Sequence, residues 1–109
     1  MSREVVATPL LARHLEAYLD DYAAKGAVRF LDRLERSYLA MLGHLESFQD
    51  IGRARRRTIG GKTITVREYV LEAGARDFLV LYVIPEDRDE PVVLLNIRIG
   101  GQNRFRWKE

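Results

Sequence analysis

Apolar side chains recur at spacings of three and four through the first half of the chain and gather into β-rich runs in the second, so two kinds of element are expected. Leu11, Leu15, Tyr18 and Tyr22 form one stripe, widened by Leu10, His14 and Leu19, and predict a helix over 9–24. Thr8 is placed to cap its free amides, and Pro9 takes the first helical position, where no N–H is needed. Lys25 and Gly26 stop it: a cation beside the negative end of the helix dipole, then a glycine free to adopt positive φ. Phe30, Leu31, Leu34, Tyr38, Leu42 and Leu45, with Met41 on their flank, predict a second helix ending near Phe48. Gly43 weakens that helix by about 1 kcal/mol relative to alanine. A connection this short makes the pair an antiparallel hairpin.

Val5-Val6-Ala7 reads as a short first strand. Gly60-Gly61, between Thr58-Ile59 and Lys62-Thr63-Ile64, suits the positive φ values of a two-residue hairpin turn. Thr63 to Leu71, Phe78 to Ile84 and Val92 to Ile99 are rich in β-branched, aromatic and aliphatic residues and predict strands. The polar stretch between Pro85 and Pro91 is a hairpin loop. Neither helix is apolar all round, so each needs a further layer to cover its stripe. The expected fold is α+β, an N-terminal helical hairpin packed on a twisted antiparallel sheet in the order β-α-α-β-β-β, with three or four strands after the helices and the 5–7 strand at one edge.

With 109 residues, 47% of them hydrophobic, the whole chain 1–109 is read as a single domain. The absence of cysteine excludes disulfides and thiolate metal ligands, and fits a reducing cytoplasm, the expected location. Met1 to Ala7 contains no apolar run of signal-peptide length, and no segment approaches the roughly 20 apolar residues that span a bilayer, so no membrane association is expected. The formal net charge of +2 hides an asymmetry: residues 1–50 carry six Lys/Arg against eight Asp/Glu, residues 51–109 twelve against eight. The second half is therefore the expected face for a nucleic acid or an acidic protein segment.

Arg53, Arg55, Arg56 and Arg57 are placed in or beside a loop, Lys62 just past the glycine turn, and Arg104, Arg106 and Lys108 around Phe105 and Trp107. Interleaved guanidinium and aromatic groups can neutralise phosphates while rings stack on bases, can dock an acidic peptide, or can form an ordinary charged surface. Arg67 and Arg98 fall within predicted strands. They either pair with cross-strand carboxylates or converge on the open face as a rigid anion site, with Tyr69 and Tyr82 nearby as hydroxyl donors or as packing residues. His14 and His44 read as structural or surface residues. Their spacing fits no metal site, and no nucleophile elbow, phosphate loop or zinc motif occurs, so no catalytic residue, metal or cofactor is assigned.

Taken in order, the segments resemble the ParE/RelE superfamily of bacterial toxins over nearly the whole chain. Val5-Val6-Ala7-Thr8-Pro9, the helix to Tyr22-Ala23, and Ala27-Val28-Arg29-Phe30-Leu31-Asp32-Arg33-Leu34 match its first half. Leu45 to Arg53 looks like its "phenylalanine, proline, any residue, aliphatic, glycine, arginine" loop, departing at Gln49, where proline is usual. Val66-Arg67-Glu68-Tyr69, Phe78 to Tyr82 and Val93 to Gly101 look like its strands, with Arg67, Tyr82 and Arg98 on positions where the family often has arginine, tyrosine and arginine. The histidine that commonly follows its last strand corresponds here to Gly100 or Gly101.

The resemblance implies the toxin component of a type II toxin–antitoxin system, held silent by a cognate acidic antitoxin in a hetero-oligomer. The helical half is closer to the ParE branch, which implies inhibition of DNA gyrase with Arg67, Arg98, Tyr82, Arg104, Arg106 and Lys108 as target contacts. The other branch implies a ribosome-dependent messenger RNA endoribonuclease, with Arg55, Arg56, Arg57 and Lys62 touching RNA. A third possibility is an interaction module without toxicity. Phe48 and Trp107 are the expected antitoxin contacts.

Overall fold

The computed structural model describes residues 2–102 and 104–108. Its elements are β1 (Val5–Ala7), α1 (Pro9–Ala24), α2 (Val28–Ser47), a single 3-10 turn (Gln49–Ile51), β2 (Arg53–Ile59), β3 (Lys62–Glu72), β4 (Asp77–Val83) and β5 (Val92–Ile99). Local chemistry accounts for the helix ends. Thr8 Oγ1 accepts from the Leu11 amide at 3.1 Å and donates to Leu95 O at 2.8 Å, so the cap also ties α1 to the sheet. Lys25 closes α1, and Gly26 follows with φ +70°. Gly60 and Gly61, at φ +58° and +79°, make the tight β2–β3 turn.

The five strands run in the order β1-β5-β4-β3-β2. β2 through β5 pair antiparallel, whereas β1 lies parallel to β5 with Val5 opposite Val92 and Ala7 opposite Leu94. The sheet is thus mixed, a correction to the antiparallel expectation. The helical hairpin carries the chain across one face between β1 and the rest of the sheet, and β5 returns beside β1 in the same direction. The short strand does join an edge, as expected.

A second correction concerns 53–57, expected in or beside a loop. These residues form most of β2, so of the three or four strands expected after the helices the described residues form four. Arginine-rich sequence has little strand preference of its own. Pairing along the whole first half of β3, from Ile59 opposite Lys62 to Arg53 opposite Glu68, supplies what local propensity lacks.

The helices bury their stripes on one face of the sheet. Leu11, Leu34, Met41 and Leu45 pack against Leu71, Phe78, Val80, Tyr82, Leu94 and Ile97. Tyr18 meets Phe78 edge-on, with ring centroids 5.2 Å apart. Among the described residues, the other face has no helix. Its apolar floor, formed by Val66, Leu81 and their neighbours Leu79, Val83, Leu95 and Ile59, is covered in part by Phe105 from the C-terminal segment. No helix among the described residues is long and apolar enough to cross a membrane.

Candidate functional site

Directly paired residues of an antiparallel ladder project to the same side, so the register fixes which side chains meet. Arg53 pairs with Glu68, Arg55 with Val66 and Arg57 with Ile64; Glu68 pairs with Leu81, and Arg98 with Leu79. Val66 and Leu81 lie on the helix-free face, and therefore so do Arg53, Arg55, Arg57, Glu68 and Arg98. Together they surround a depression of about 510 Å³ that has Val70 and Leu79 among its lining residues and Arg56 at its border.

Among the described residues, Glu68 is the one carboxylate lining this depression. Its side chain is only 10% exposed and bridges two guanidiniums, accepting from Arg55 Nε at 3.1 Å and from Arg57 Nη2 at 2.9 Å. Phe105 sits between the two sides. The Arg98 guanidinium lies 5.0 Å from its ring centroid and that of Arg57 lies 5.6 Å away, contacts that steady both cations without consuming N–H donors. Arg98 Nη1 donates to Ile99 O and Gln102 O, holding the turn after β5. Its buried Nε makes no hydrogen bond among the described residues, so the fold leaves this guanidinium incompletely satisfied.

The C-terminal segment is fastened at its backbone. Buried Asn96 donates through Nδ2 to Arg106 O at 2.7 Å, while its Oδ1 accepts from the Ile97 amide and lies 2.8 Å from His14 Nδ1. His14 Nε2 is 3.3 Å from Lys108 O. Arg104 and Trp107 flank a smaller hollow of about 200 Å³ with Arg57, Thr58 and Ile59, and Arg106 borders another with Tyr18 and Arg98. Lys62 is exposed at the β2–β3 turn. Phe48 caps α2 and is 63% exposed; Trp107 is 43% exposed.

Arg67 and Tyr82 belong elsewhere. They pair with each other, and Tyr82 is in the core beneath the helices, so both project to the face opposite Arg98. Arg67 Nη1 donates to Asp50 O at 3.0 Å and Gly52 O at 2.8 Å. The Tyr82 hydroxyl accepts from the Gly52 amide at 2.8 Å and donates to Gln49 O at 2.7 Å. Burial pushes this phenol above its ordinary value, outweighing the opposing hydrogen bond at Gly52 and the Arg67 charge, so it remains a donor. Arg67 and Arg98 therefore do not converge: one clasps the segment leading into β2, the other lines the basic depression.

Three contributors were not singled out from sequence: Glu68 as a shared counter-ion, Asn96 as the fastening for the C-terminal segment, and Gly52 as the partner of Tyr82. For Glu68 the signal was present. Counting outward from the Gly60-Gly61 turn places it opposite Arg53 and on the face of Arg55 and Arg57.

Chemically, the guanidiniums at this site supply hydrogen bonds and positive potential rather than proton transfer. His44 is remote from the depression, bonded through Nδ1 to the Tyr69 hydroxyl at 2.7 Å. Among the described residues no group of three or more His, Asp or Glu could hold a metal ion. Comparison with protein-family models, with curated proteins and with solved structures gave no match.

Proposed function

We propose that the chain is the toxin component of a toxin–antitoxin pair of the ParE/RelE type, acting by binding to DNA gyrase rather than by cleaving a bond. The observation that carries this reading is the helix-free sheet face, where Arg53, Arg55, Arg57 and Arg98 surround an apolar-floored depression and Glu68 bridges Arg55 and Arg57. Its support is the kind of group gathered there: permanent cations with forked donors, suited to phosphates or carboxylates of a gyrase–DNA complex. The element order, a short strand and helical hairpin followed by meandering strands, is in keeping with the resemblance. Arg104, Arg106 and Lys108 add further cations along the C-terminal segment.

The silencing partner in this reading is an acidic antitoxin lying along the helix pair and the free edge of β2. The exposed rings of Phe48 and Trp107 give it apolar anchors, and the charge of the second half speeds its encounter.

The deciding assay adds purified chain to gyrase, relaxed DNA and ATP, with translating ribosomes in parallel. Inhibited supercoiling or trapped cleavage complexes, weakened by Arg98→Lys, is the expected result. Site-specific message cleavage on ribosomes with unaffected gyrase would replace this reading with the endoribonuclease. No effect on either would leave an interaction module without toxicity.

A further inference from the structure

One closely confined charge on the helix-free face is negative. Glu68 sits among arginines, nine-tenths covered, with each carboxylate oxygen engaged by a different guanidinium. Those two guanidiniums, from Arg55 and Arg57, also line the depression, so the groups best placed to receive an external anion are already partly engaged by an internal one.

We propose that Glu68 is a built-in counter-anion that sets the affinity and the selectivity of this site for oxyanions, favouring phosphate-class groups over carboxylates. The proposal rests on the reading of this face as an anion-recognition surface. An incoming anion must draw Arg55 and Arg57 away from Glu68 or share them with it. A single carboxylate offers these arginines the same charge and geometry that Glu68 already provides, so exchanging one for the other gains little. A phosphate-class ligand such as pyrophosphate carries more charge and more acceptor oxygens, and can engage Arg53 and Arg98 while Glu68 keeps part of its contacts. Phe105 supports the exchange, because its ring lies against the Arg57 and Arg98 guanidiniums and leaves their N–H donors open to an anion.

Glu68→Gln is the direct test, since the amide keeps the size and one acceptor oxygen while removing the charge. Calorimetric titration with pyrophosphate and with a short poly-aspartate peptide, on wild type and variant, reads both parts of the proposal. Wild type is expected to bind pyrophosphate more tightly than the peptide. The variant is expected to bind both more tightly, pyrophosphate by roughly fivefold, the scale of removing one partly screened repulsion. The gap between the two ligands should narrow. Equal or weaker pyrophosphate binding by a variant that melts like wild type overturns the proposal, as does the absence of pyrophosphate binding by both proteins.

Should the variant fold poorly, the wild-type Arg55 and Arg57 side-chain N–H resonances give a second reading. They should shift on saturation with pyrophosphate, and unmoved resonances would overturn the proposal equally. A chain that behaves as expected here yet leaves gyrase and ribosomes untouched would refute the proposed function and not this inference. A gyrase inhibitor in which Glu68→Gln gains no affinity would do the reverse.

Discussion

The hydroxyl of Tyr82 and the backbone of Gly52 fit one another so closely that neither residue has room to change. Gly52 N donates to the hydroxyl at 2.8 Å, and a Cβ added at Gly52 would lie 2.5 Å from that same oxygen and 2.8 Å from Glu68 O. Its φ of −74° is open to any residue, so glycine is required here by space and not by backbone conformation. Gly52→Ala should therefore destabilise the fold by about 2 kcal/mol or more, the scale of forced overpacking. Tyr82→Phe should cost about 1–3 kcal/mol by stranding the buried Gly52 amide. Denaturant unfolding measures both, and a Gly52→Ala protein as stable as wild type would show that the entry to β2 is looser than described.

Leu34 is fully buried where α2 meets the sheet. Leu34→Ala should lower stability by about 2–5 kcal/mol, and Leu34→Asp should abolish the cooperative melt by burying an unpaired charge. Unchanged circular dichroism and melting of the aspartate variant would remove Leu34 from the core.

Much of this fold could be read from the chain because its signals are local. Thr8-Pro9 and Lys25-Gly26 bracket α1, and the apolar runs of β3, β4 and β5 stand out whatever they pair with. β2 was legible only at Thr58-Ile59, where it enters the glycine turn, because the arginines at 53, 55, 56 and 57 show no apolar alternation and become a strand through β3. The parallel pairing of β1 with β5 is likewise a property of the path between them. At the site, arginine content pointed to the correct surface, but residue type alone could not say which arginines share a face. Parity decides that, and it separates Arg67 from Arg98.

Tyr18, Tyr38, Tyr69 and Tyr82 all have phenols held above the ordinary value of 10.0, with burial the leading cause in each. The native state thus binds these protons more tightly than the unfolded chain. Their contribution to stability is complete below the ordinary value and is lost as pH rises through the elevated ones. Melting temperature should fall on the alkaline side of 10.0, and less steeply in Tyr38→Phe, where burial is the only cause of the shift. An identical alkaline fall in that variant would count against burial of the Tyr38 hydroxyl.

Phe105 and Trp107 have adjacent rings, 6.2 Å apart, but different surroundings: 7% and 43% exposed. Phe105→Ala uncovers Val66 and Leu81 and should cost about 3 kcal/mol, whereas Trp107→Ala should cost under about 1 kcal/mol. Paired unfolding curves test the difference. Equal losses would mean that the C-terminal segment is held by both rings and not by Phe105 and the Asn96 and His14 contacts.

β2 ends the sheet, and the far side of this seven-residue strand has no neighbour among the described residues. Bare edges of this kind invite a second copy to add on and so begin an aggregate. Two copies of β2 laid edge to edge would bring Arg53, Arg55, Arg56 and Arg57 against their own counterparts, so the strand repels its double while remaining open to a strand of opposite charge. The arginines that make this surface attractive to an anionic partner thereby also guard solubility. That protection is electrostatic and weakens with salt, so light scattering should detect self-association at high ionic strength before it does so at low.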